Sequence, residues 1–108
     1  MVFLDRVRAL PKLGVGISTE YGAFASGEGL NLKTLLAEAP EFAGFLEVGV
    51  EAYRGVDDVT RWWCEQGLAT TYHFLDINLD EPEDQDERWM HAVRAHIEHL
   101  KPAWMCGD

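Results

Sequence analysis

The sequence predicts an α/β protein with an all-parallel sheet, laid out as a (β/α) half-barrel: the first four strands of a TIM-barrel-like domain, with residues 1–108 forming a single domain. Three observations lead there. Short apolar runs alternate with helix-period segments in the order β-α-β-α-β-α-β. Each unit is about 30 residues long, the size of a strand plus a crossover helix. Polar side chains recur where strands hand over to loops. Of the 108 residues, 47% are hydrophobic and 11% aromatic, enough for one packed core.

The elements follow in order. After a polar leader, Leu13-Gly14-Val15-Gly16-Ile17 is an apolar run bounded by Pro11 and by Ser18-Thr19-Glu20, and it reads as a buried first strand. The Gly-rich stretch from Gly22 to Gly29 reads as a loop. Leu32, Leu35, Leu36 and Ala39 recur at helical spacing behind Asn31, and Pro40 stops the pattern, so 31–39 is a helix. Phe45 to Val50 is the second strand. Asp57 is a natural N-cap before Val59, Trp62 and Trp63, and Gly67 lies where a left-handed residue ends a helix. Leu68 to Phe74 or Leu75 is the third strand. The acidic run Asp80-Glu81-Pro82-Glu83-Asp84 is a loop, leading to a helix whose Trp89, Met90, Val93, Ile97 and Leu100 form an apolar face. Pro102 ends that helix, and Ala103-Trp104-Met105-Cys106 begins a fourth strand.

Right-handed crossovers make such a sheet parallel. A closed eight-unit barrel takes about 200 residues or more, so the sequence reads as interrupted at its fourth strand. A small open α/β sheet fits the same order. However, no Gly-x-Gly-x-x-Gly turn opens a helix, because Gly14-Val15-Gly16 falls inside the first strand.

Charge and composition exclude several partners. A formal net charge of -10 repels phosphate backbones and anionic lipid, so neither nucleic acid nor a membrane surface is expected to bind. No apolar run approaches the roughly 20 residues of a spanning helix, and no secretory leader pattern opens the chain. A cytoplasmic location with reduced thiols is expected, since Cys64 and Cys106 are too few for a disulfide framework.

In parallel α/β folds the ligand lies beyond the carboxyl ends of the strands. The first strand leads into Glu20; the second carries Glu47 and runs on to Glu51. The third carries His73, with Asp76 and Asn78 after it, and the fourth delivers Cys106 and Asp108. Carboxylates, an imidazole and a thiol at one rim are donors for a divalent metal. Glu47 is the most informative, because it interrupts an apolar strand. Leu46, Val48 and Val50 alternate toward the helices, which puts Glu47, Gly49 and Glu51 on the other face. An unpaired buried carboxylate is costly, so Glu47 should meet a metal, an arginine or a proton. His73 follows the same alternation. His91, His96 and His99 lie on a helix away from the rim, and Trp62, Trp63 and Trp89 are core residues. Cys64, inside a helix, reads as inert.

The run from Gly14 through Glu20, then Phe45-Leu46-Glu47-Val48-Gly49-Val50-Glu51-Ala52-Tyr53-Arg54-Gly55, then Tyr72-His73 and Lys101-Pro102-Ala103, resembles the multinuclear non-haem iron-dependent oxidative enzymes. That family includes the methanobactin biosynthesis oxygenase and has a xylose-isomerase-like barrel. Its second strand typically reads Leu-Glu-Val-His-Ala-Glu-Asn-Tyr, and Glu47, Val48, Glu51, Tyr53 and Gly55 match in register. The resemblance runs from about Leu13 to Asp108 and corresponds to the first part of a longer domain. It implies non-haem iron as cofactor, with His73, Glu47 and Asp108 as metal ligands and Glu47 and Glu51 as catalytic carboxylates. It also implies a peptide substrate, with oxidation of cysteines, and a partner protein that delivers it. Where the family has a ligating His in the second strand, this chain has Gly49. Cys106-Gly107-Asp108 stands where the family has Ser-Glu-His. A non-redox metal-dependent barrel isomerase or hydrolase, or a barrel relative kept for binding, is the rival expectation.

Overall fold

The computed structural model describes residues 2–19, 23–24, 30–75 and 86–107. The chain is mixed α/β. Its strands are β1 (Ile17–Ser18), β2 (Ala23–Phe24), β3 (Leu30–Asn31), β4 (Leu46–Val50), β5 (Thr70–Phe74) and β6 (Met105–Gly107). Its helices are α1 (Phe3–Arg8), α2 (Leu32–Glu38), α3 (Asp58–Glu65) and α4 (Glu87–Leu100), with a 3-10 turn at Pro40–Phe42.

Local chemistry sets the helix ends. Asn31, Asp57 and Asp86 are extended N-caps whose side chains accept from the backbone N–H of Thr34, Thr60 and Trp89, at 3.1, 2.8 and 2.7 Å. At the far end of α4, Lys101 takes the left-handed conformation with φ 47° and its N–H bonds to Ile97 O, just before Pro102. Gly67, at φ +72°, turns the chain from α3 toward β5.

The principal sheet has the order β1-β4-β5-β6, and every pair in it is parallel. β2 and β3 form a separate two-residue parallel pair. Leu46, Val48 and Val50 are buried while Glu47 and Gly49 between them are half-buried, as strand alternation requires. One apolar cluster joins Leu46, Val48, Val50 and Tyr72 to Leu32 of α2, Trp63 of α3 and Trp89, Val93 and Leu100 of α4. All three helices therefore cover the same face. Two side-chain bonds lock the amino end of β5: Trp63 Nε1 donates to Ala69 O at 2.8 Å, and Thr70 Oγ1 donates to Leu100 O at 2.9 Å.

Several expectations shift. The first strand is not Leu13–Ile17 but Ile17–Ser18, because Gly14 has φ +74° and breaks the extended path. Gly14-Val15-Gly16 thus precedes the strand. The polar leader contains α1, and the Gly-rich loop contains β2. The third strand starts at Thr70 and the fourth at Met105, each two residues later than the apolar run suggested. Met90, assigned to the apolar face of α4, is 52% exposed and lies beside an open groove. The acidic run at 80–84 lies outside the described residues.

Candidate metal-binding face

On the sheet face turned away from the helices, register brings polar side chains together. Parallel neighbours in register point the same way, so Ser18 beside Glu47, Glu47 beside Thr71, and His73 beside Cys106 share that face. Ser18 Oγ donates to Glu47 Oε1 at 3.1 Å. His73 Nδ1 stands 3.8 Å from the same oxygen, an ion-pair separation too long for a direct hydrogen bond. Gly49, which carries no side chain, is the register partner of His73. The two side chains are partly sheltered, at 32% exposure for Glu47 and 19% for His73.

Thr71, the register partner of Glu47 and two residues before His73, is 2% exposed, and its Oγ1 has no hydrogen-bond partner among the described residues. A buried hydroxyl left without a partner costs about 1–3 kcal/mol. Such an atom marks a place for an ordered water or a bound polar group.

The expected ligands divide. Glu47 and His73 are brought together. Glu51 lies one residue past β4, exposed, and lines a cleft of about 350 Å³ with Thr19, Arg54, Asp57 and Leu75. Cys106 is in register with His73 but exposed on β6. Glu20, Asp76, Asn78 and Asp108 lie outside the described residues. Among the described residues no three His, Cys, Asp or Glu side chains converge as a metal-holding set, so Glu47 and His73 stand as a two-donor pair.

The other titratable candidates take structural places. His96 Nε2 lies 3.1 Å from Ala52 O and ties α4 to the end of β4, while His91 and His99 are exposed. No disulfide links Cys64 and Cys106. Burial pushes the Cys64 thiol up, and the neighbouring Glu65 adds to the shift. The fold thus favours the neutral thiol, a contribution present at neutral pH and lost as pH rises through the raised value. Timed alkylation of the native protein at pH 7.5 should label Cys106 roughly tenfold faster than Cys64. Equal rates would contradict the shelter assigned to Cys64.

Ser18 escaped the reading of the sequence, since only cross-strand register assigns it to the face of Glu47, whereas Thr71 shares the face of His73 by the alternation of one strand. Among the described residues no helix is long and apolar enough to cross a membrane. The fold and this face define a mixed α/β protein with a parallel sheet and a carboxylate-imidazole pair opposite its helices. Compared with protein-family models, with curated proteins and with solved structures, the chain finds no match in any of the three.

Proposed function

We propose that the sheet is the first half of a TIM-type (β/α) barrel and that the domain is a metal-dependent oxidative enzyme, with non-haem iron as cofactor and a peptide as substrate. The observation that carries the reading is the facing of Glu47 and His73 within one polar row, beside a buried hydroxyl that lacks a partner among the described residues. The donor chemistry fits an ion in part. Imidazole and carboxylate suit iron, but two donors fall short of the four or more that a resident ion usually takes. Water, substrate or donors outside the described residues would supply the others, Asp108 among them.

In this reading each residue has a defined task. His73, with Nδ1 on the side of Glu47, would supply the imidazole donor. Glu47 fixes the ring orientation or binds the ion directly, and the Ser18 hydroxyl holds Glu47 in place. Iron, when bound, supplies the redox chemistry with dioxygen that these side chains lack. Glu51 and Arg54 stand at the cleft beside β4, where a peptide substrate can be gripped and a proton accepted by the Glu51 carboxylate. A partner protein would present that peptide.

Gly49 favours a second reading. Where the resembled enzymes carry a ligating His, this chain carries none, which suits a single redox-inert ion and an isomerase or hydrolase. The metal content of aerobically purified protein separates the two. Iron with a ligand-to-metal absorption band is the expected result; zinc or magnesium alone would overturn the oxidative reading in favour of the second, and the absence of any bound metal would overturn both.

A further inference from the structure

We propose that Thr71 is a positioning residue of this face, whose hydroxyl holds a water that binds together with a divalent cation at Glu47 and His73. The inference rests on the metal reading and adds to it a residue that supplies no ligand atom of its own. Ser18, Glu47 and Thr71 form one row across three strands, in direct register. His73 stands two residues beyond Thr71 on the same side of β5. Neighbouring strands lie about 4.8 Å apart, and same-side residues of one strand about 6.6 Å apart. At those spacings one water bridges the Thr71 hydroxyl to an ion held at Glu47 and His73.

Comparison of two adjacent threonines sets Thr71 apart. Both are 2% exposed. Thr70, on the helix side of β5, donates its hydroxyl to Leu100 O at 2.9 Å, at the end of α4. Thr71 Oγ1 has no hydrogen-bond partner among the described residues. A hydroxyl brings one donor and two acceptor sites, and burying them unpaired opposes folding. Valine has the same shape and suits a strand at least as well, so packing and strand propensity give no reason for the oxygen. A polar atom kept against stability, on the face that carries the carboxylate and the imidazole, is the pattern of a functional position.

The chemistry of the ion supplies the partner. A divalent cation with two protein donors keeps water in its remaining positions, and a fixed acceptor that takes the proton of such a water holds it in place. Thr71 Oγ1 is that acceptor. Ser18 Oγ donates to Glu47 Oε1 from β1, so Ser18 steadies the carboxylate from one side of the row while Thr71 acts from the other.

Two measurements on the 108-residue chain test the assignment: urea unfolding of the metal-free protein and anaerobic titration with ferrous iron. Thr71→Val should raise the urea midpoint, with the folded-to-unfolded ratio up about threefold to tenfold, and lower iron affinity about tenfold. Thr71→Ser keeps the hydroxyl and should bind iron within about twofold of the parent, although its lost methyl lowers the midpoint. Thr70→Val, one residue away on the other face, should lower the midpoint, because Leu100 O loses its donor, and leave iron affinity unchanged. A purely structural Thr71 would give neither the opposite sign in stability nor the rescue by serine. Iron binding by Thr71→Val equal to the parent's, or a lowered midpoint in that variant, would overturn the assignment and leave the metal reading standing. A parent that binds no ferrous iron overturns the metal reading itself, and the Thr71 assignment with it.

Discussion

Replacing Trp63 with alanine should abolish the cooperative unfolding transition of this protein. Trp63 is 1% exposed and lies in the apolar cluster between α3 and the sheet. Truncating a buried tryptophan to alanine costs about 3–5 kcal/mol. Its Nε1 also donates to Ala69 O at 2.8 Å, so the substitution strips a partner from the carbonyl at the entry to β5. Domains of this size are stable by about 5–15 kcal/mol in all, and one such change consumes much of that. Urea titration followed by circular dichroism should show a broad, early transition for Trp63→Ala and a sharp one for the parent. An unchanged midpoint would mean that α3 is not anchored as described.

Gly44→Ala should be nearly as damaging, for a different reason. A β-carbon on Gly44 would lie 1.9 Å from Leu13 O and 2.9 Å from Val15 O, and both obstacles are backbone. The Gly44 N–H also bonds to Val15 O at 2.8 Å, so the two segments cannot separate without losing that bond. Overpacking of this kind costs about 1–3 kcal/mol or more. The chain entering β1 would move, and Ser18 with it, loosening the bond that holds Glu47. The same urea titration checks it: a midpoint within error of the parent would contradict the close approach.

Much of this was legible in the residues. Asn31 and Asp57 each precede an apolar helical pattern, which is why α2 and α3 begin where their sequences indicate. The alternation of Leu46, Val48 and Val50 with Glu47 put that carboxylate on the face opposite the helices, and His73 followed by the same rule. β1 was misplaced because an apolar run does not reveal that Gly14 adopts a positive φ. α1 was missed because three apolar residues in six fall below the length at which helical periodicity stands out from a leader. The place of Ser18 beside Glu47 depends on how strands slide past one another, and that register is fixed by packing across elements rather than by local pattern. Glu51 lies just past the strand, where alternation no longer governs the side chain.

The pair at the centre of the site can be tested by metal binding alone. Titrating the metal-free protein anaerobically with ferrous iron should show one tight class of site in the parent. His73→Ala, which removes a proposed donor, should lower that affinity by about tenfold or more. His96→Ala deletes an imidazole whose Nε2 lies beside Ala52 O, on α4, so it should bind iron as the parent does even if it melts earlier. Loss of iron in His73→Ala with retention in His96→Ala is the expected result. Equal binding by both variants and the parent would remove His73 from the site and contradict the metal-binding role of this face.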